Sequence, residues 1–155
     1  AADLPERLSA DELAAVLDDL ASVVERERVD LVLMTGDIFD TSSPSADAER
    51  LVFGFFRRVG RLDVPSVVIA GNHDSPTRVD AWAQLAELAR VTACGVPRPH
   101  DRGGCVRVPT RTGDDAIVAL LPFVSPARAV SAEALAADPD EAGGGYAAHM
   151  RTLVD

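Results

Sequence analysis

Two short apolar runs constrain this chain more than any other feature, because each ends at a glycine followed by a knot of polar side chains. The first, Val29-Asp30-Leu31-Val32-Leu33-Met34-Thr35, leads into Gly36-Asp37-Ile38-Phe39-Asp40; the second, Pro65-Ser66-Val67-Val68-Ile69-Ala70, leads into Gly71-Asn72-His73-Asp74. Apolar character without alternation is the mark of a parallel strand buried on both faces, and helices are expected to cover both. Helical patterns do stand between the runs. Ser9-Ala10-Asp11-Glu12 reads as a capping box, and Leu13, Val16, Leu17, Leu20, Val23 and Val24 recur behind it as one apolar stripe. Ser43-Pro44 offers an N-cap with proline at the first helical position, ahead of an inward face of Leu51, Val52, Phe55, Phe56, Val59 and Leu62. Ser75-Pro76 opens a third helix, with Trp82, Leu85, Ala86 and Ala89 facing inward. Helix, strand, helix, strand, helix implies crossover connections and a parallel sheet.

Beyond Arg90 the pattern changes. Val91 to Ala93, Cys105 to Pro109 and Ala116 to Val124 read as strands with turn-rich links, which predicts a second sheet, mixed or antiparallel. Asp138 to Gly145 reads as a flexible loop and Tyr146 to Val154 as the start of another helix. At 155 residues the chain suits one domain with a real core. It opens on Ala1-Ala2-Asp3-Leu4-Pro5 without methionine, which suggests a trimmed piece of a longer protein.

Charge and cysteine content bound the function. The net charge of −10 disfavours nonspecific gripping of nucleic acid by phosphate contacts alone. Divalent ions can still bring positive charge to a docked phosphate. All 15 basic residues are arginine, and Arg57, Arg58 and Arg61 on the second helix read as a solvated face. Cys94 and Cys105 make no disulfide framework, and together with His100 they are too few and too irregular for a zinc site. A reducing, cytoplasmic setting is the simplest reading.

The chemistry is expected where the two polar knots meet. Ligands of open α/β sheets gather beyond the carboxyl ends of the strands, so both knots belong on one rim, with the positive ends of two helices aimed at it. Asp37 is suited to bridging two divalent cations, and Asn72 offers a neutral oxygen ligand. His73 suits proton donation beside a metal-bound phosphate, and Asp74 suits orienting its ring. Either motif alone is compatible with an ordinary turn; together, 35 positions apart at successive strand ends, they point to a site. Asn72 is the only asparagine in the chain, so its amide marks a need that Gly or Asp does not meet.

Gly36-Asp37-Ile38-Phe39-Asp40 and Gly71-Asn72-His73-Asp74 resemble the second and third motifs of the calcineurin-like metallophosphoesterases. The longer stretches 36–45 and 71–79 are most similar to the SbcD-type nuclease subunits of bacterial break-repair complexes. The resemblance implies a partial α/β/β/α sandwich, a parallel sheet flanked by helices and packed on a second mixed sheet. The whole chain, 1–155, is then a fragment of a nuclease domain that lacks the opening strand and the C-terminal part. It implies two divalent ions, Mn²⁺ first and Mg²⁺ second, with Asp37 bridging and Asn72 on the second metal. His73 and Asp74 are the implied catalytic pair, and Asp40 and Arg78 lie near the substrate phosphate. DNA, an SbcC-type ATPase and a homodimeric assembly are the implied partners. Exonuclease action on duplex ends and endonuclease action on single strands are the implied activities. The family's opening Asp-x-His and later Gly-His-x-His are missing from these residues, so the fragment alone is expected to bind Mn²⁺ weakly and to cleave DNA negligibly. Two alternatives stay open: a small-molecule phosphodiesterase or phosphatase of the same superfamily, and a non-catalytic partner-binding member.

Overall fold

The computed structural model describes residues 8–111 and 113–125. Its first half is an alternation of helix and strand: α1 (Ala10–Arg26), β1 (Val32–Met34), α2 (Ala46–Arg61), β2 (Ser66–Ile69) and α3 (Pro76–Ala86). A short 3-10 turn, Glu87–Ala89, leads into β3 (Val91–Cys94). A second such turn, His100–Arg102, precedes a hairpin of β4 (Cys105–Pro109) and β5 (Asp115–Ala119). Strands β1, β2 and β3 form one parallel sheet in that order, with Met34 beside Val68 and Val68 beside Ala93. The hairpin is a separate antiparallel sheet. The α/β sandwich expected from the sequence is therefore present, with two corrections. Val91 to Ala93 joins the parallel sheet, because the turn at Arg90 (φ 58°) reverses the chain straight off the third helix. And helices do not cover both faces of that sheet.

Strand side chains alternate between two cores. Val68, Ala70, Val91 and Ala93 pack with Val52, Phe56 and Val59 of α2 and with Ala21 and Val24 of α1. On the opposite face Val67 and Cys94 meet Val108 and Leu120 of the hairpin layer. Two strands cannot roof three, so β1 is only partly covered and Leu33 remains 54% exposed. A strand apolar on both faces thus reports burial between two layers, whatever those layers are.

Helix α1 starts as its sequence announces. The Ser9 hydroxyl accepts from the Glu12 amide, and the Glu12 carboxylate accepts from the Ser9 amide. Its stripe is wider than its buried face, since Val16, Leu20 and Val23 remain exposed. The second helix begins later than predicted: Ser45, not Ser43, is the N-cap, with its hydroxyl accepting from Ala48. Ser75 caps α3 and Pro76 opens it as expected. Leu85 is a further correction, because it points to solvent while Ala83, Ala86 and Ala89 pack inward. Trp82 is half-buried against Phe53, ring edge to ring face with centroids 5.5 Å apart. No helix among the described residues is long and apolar enough to cross a membrane. The predicted loop at 138–145, the helix from 146 and His149 lie outside the described residues.

Candidate metal and phosphate site

The turns after β1 and β2 leave the same rim of the sheet in backbone contact. A side chain on Gly36 would stand 2.7 Å from the Gly71 Cα, and one on Gly71 would overlap the amide nitrogen and Oδ1 of Asp37. Each glycine is therefore required by the other loop, beyond any need to turn. Gly36 sits at φ 107°, and Asp37 follows in the left-handed region at φ 50°, an uncommon conformation for a side chain of any size. That pair of torsions turns Asp37 sideways across the rim, where its Oδ1 accepts from the His73 amide at 3.1 Å.

The two loops are bound by more than this one bond. Asp74 is buried, and its carboxylate accepts from three backbone amides. Oδ2 takes Gly71 at 2.8 Å and Ile38 at 3.1 Å, and Oδ1 takes Phe39 at 3.0 Å. Phe39 itself is buried in the helix-side core, which anchors the first loop from below. The carboxylate expected to orient the His73 ring is thus turned to the backbone. The ring's partner is the Asp40 main-chain oxygen, 3.1 Å from Nδ1. A carbonyl oxygen can only accept, so Nδ1 carries the proton and Nε2 is left facing away from the loop.

Asp37, Asp40, Asn72 and His73 are all exposed at this rim, and Asp74 lies beneath them. Arg78, one turn into α3, donates to Glu49 of α2 at 2.7 Å, so its guanidinium ties the starts of the two helices together. Among the described residues, the donors fit the shared edge of a cation site: one carboxylate and one amide oxygen on loops locked side by side. They do not make a complete two-ion centre, since no three His, Cys, Asp or Glu side chains converge anywhere among the described residues. Sequence patterns did not reveal the Gly36–Gly71 contact or the Asp40 carbonyl as a partner of His73. Phe39, an apolar residue inside a polar motif, was the available hint of an anchored loop.

The family described as calcineurin-like phosphoesterase matches residues 3–114 of the chain. Among curated proteins, the chain is 40% identical over 95 residues to the SbcD subunit of nuclease SbcCD from Bacillus subtilis, covering 61% of this chain and 24% of that protein. It is 28% identical over 122 residues to the SbcD subunit of the same nuclease from Escherichia coli K12, covering 77% of this chain and 29% of that protein. With the DNA double-strand break repair protein Mre11 of Saccharolobus solfataricus it shares 32% identity over 63 residues, 41% of this chain and 16% of the relative. The chain thus spans about a quarter of the length of the Bacillus relative it matches.

Proposed function

The chain belongs to the calcineurin-like phosphoesterase family, and from that premise we propose that it is part of a DNA-processing nuclease subunit that hydrolyses phosphodiesters with divalent cations. Relatives named as nuclease subunits and as a break-repair protein support DNA as the substrate. They also support an SbcC-type ATPase as the partner, within an assembly that holds two copies of this chain's parent protein. Family members generally use divalent metals. The observation that carries the reading is the bond from the His73 amide to Asp37 Oδ1, which holds the bridging carboxylate and the proton-bearing histidine on one rim.

Each residue then has a task that its surroundings permit. Asp37 and Asn72 hold the cations, Mn²⁺ in preference to Mg²⁺, which supply the charge that neutralises a phosphodiester and activates water. The left-handed torsion of Asp37 keeps its second oxygen turned outward, away from the bond to His73. His73, with Nδ1 fixed on the Asp40 carbonyl, presents Nε2 to the rim. Protonated there, it can donate to the departing oxygen. Asp40 acts here through its main chain, as the support of the histidine ring. Arg78 closes the rim through Glu49 and can reach a phosphate only by giving up that pair.

The test is a chimera in which the matching segment of the Bacillus relative is replaced by this chain's residues. It should cleave linear duplex DNA in the presence of Mn²⁺ and turn over a nitrophenyl phosphodiester poorly by comparison. Asp37→Asn and His73→Ala should each abolish that cleavage, with the chimera still folded. Preference for the small ester, or undiminished cleavage in both variants, would contradict the proposal. The 155-residue chain alone should cleave DNA negligibly.

A further inference from the structure

We propose that Asp74 is a positioning residue: its buried carboxylate sets the one relative placement of the two loops from which Asp37 and Asn72 reach a common cation. The inference rests on reading those loops as a cation site and adds to it the group that fixes their separation.

Three observations carry it. Asp74 is one of two buried polar or charged residues among those described, at 5% exposure, and no arginine or histidine there pairs with it. A carboxylate so placed is costly unless its oxygens are fully used. They are used by amides from both loops: Ile38 and Phe39 lie 36 and 35 positions away, and Gly71 lies three positions back. Oδ2 alone bridges the loops, taking one amide from each.

The second observation is where the bonds fall. Ile38 and Phe39 directly follow Asp37, the one left-handed side-chain-bearing residue of the rim. Holding the next two amides pins the chain just past the unfavourable torsion, so the conformation that turns Asp37 across the rim is secured from its far side. Gly71 directly precedes Asn72, and Asp74 directly follows His73. One side chain therefore brackets both functional residues of the second loop.

The third observation is what Asp74 does not do. The His73 ring is held by the Asp40 carbonyl, which leaves no bond between the Asp74 carboxylate and the imidazole. Its influence on His73 and the ligands passes through backbone placement. Asparagine is no substitute, because its NH₂ would face an amide N–H where a carboxylate oxygen now accepts.

The experiment compares the full 155-residue chain with its Asp74→Asn and Asp37→Asn variants by residue-resolved hydrogen exchange and by Mn²⁺ binding from water-proton relaxation. In the wild type, the amides of Ile38, Phe39 and Gly71 should exchange more slowly than those of Asp40 and Asn72, a comparison that needs no variant to fold. In Asp74→Asn those three amides should exchange about tenfold faster or more, while Val67 and Val68 in β2 change far less. Mn²⁺ affinity should fall by about tenfold although both ligands remain, because a displaced ligand loses most of its contribution. Asp37→Asn should weaken Mn²⁺ binding while leaving the three amides protected. Unprotected amides in the wild type would overturn the proposal. So would an Asp74→Asn variant with faster exchange spread evenly over β2 and unchanged Mn²⁺ affinity, the outcome for a residue that merely supports the fold. A wild type that binds no Mn²⁺ would overturn the cation reading, and the exchange results would still decide whether the clamp exists.

Discussion

The two ends of the parallel sheet both bend the chain through left-handed backbone at residues other than glycine, and they do so for opposite reasons. At the amino end, α1 and α2 terminate alike. Arg28 (φ 54°) donates to Glu25 while Val29 donates to Val24; Asp63 (φ 64°) donates to Gly60 while Val64 donates to Val59. Both are Schellman closures, in which the apolar residue past the cap packs on the last turn, here inside the helix-side core. Glycine suits the left-handed position best, and nothing about these turns asks for the side chains that occupy it. At the carboxyl end, Asp37 adopts the same torsion, but its side chain is the reason for the turn. Left-handed backbone is incidental at one end and belongs to the site at the other.

The sharpest way to break that contrast uses two glycines. Gly71→Ala drives a methyl into the backbone and carboxylate of Asp37 and should destabilise the chain by about 3 kcal/mol or more. Gly54→Ala, in the middle of α2 with nothing within 4 Å of the new methyl, should stabilise it by about 0.5–1 kcal/mol. Denaturant midpoints measure both, and equal effects would show that the rim contact is not a close fit. The second pair sets Asp37→Gly against Arg28→Gly. Each relieves an unfavourable torsion, and Arg28→Gly should gain about 0.4–1 kcal/mol with Mn²⁺ binding unchanged. Asp37→Gly should lose at least about tenfold in Mn²⁺ affinity, about 1.4 kcal/mol, whatever it does to stability. If both variants gained stability and neither lost Mn²⁺, the two ends would be equivalent.

Much of this contrast is written in the sequence, and the rest is hidden for physical reasons. The rim was legible because glycine followed by Asp, Asn and His after an apolar run has no packing explanation. The caps at Ser9 and Ser75 were legible because side-chain capping acts within four residues. The base caps were not, since Arg28 and Asp63 stand where glycine is the usual sign. Ser43 looked like a cap and Ser45 is one, because neighbouring serines differ only in which of them reaches an amide. Leu85 and the outer half of the α1 stripe show that helical spacing assigns a face, while the width of the neighbouring layer decides how much of it is covered. Asp74 invited pairing with its sequence neighbour His73, yet its partners are backbone amides brought to it by the fold.

A smaller effect distinguishes the ends by pH. Hydrogen bonds from the Ser9 amide and then its hydroxyl hold the Glu12 carboxyl below its ordinary range, at the start of α1. Bonds from the Arg111 side chain and then its amide do the same for Asp30 at the base, where that pair ties the hairpin layer to the end of α1. A lowered folded-state value stabilises the fold above the unfolded carboxylate range, and the contribution is lost as pH falls through the folded value. Glu12→Gln and Asp30→Asn should each therefore reduce the drop in stability between about pH 6 and about pH 3. Curves parallel to wild type in both variants would show that the bonds do not persist in solution. Both groups are exposed, so the differences should be small.

The central claim is that Asp37 and Asn72 address one cation from two loops, and paramagnetic line broadening reads this most directly. Substoichiometric Mn²⁺ added to the labelled chain should broaden the amide signals of residues 36–40 and 71–74 together, before those of the acidic helix surfaces. Broadening confined to one loop, or appearing first at Asp18, Asp19 or Asp47, would contradict the account.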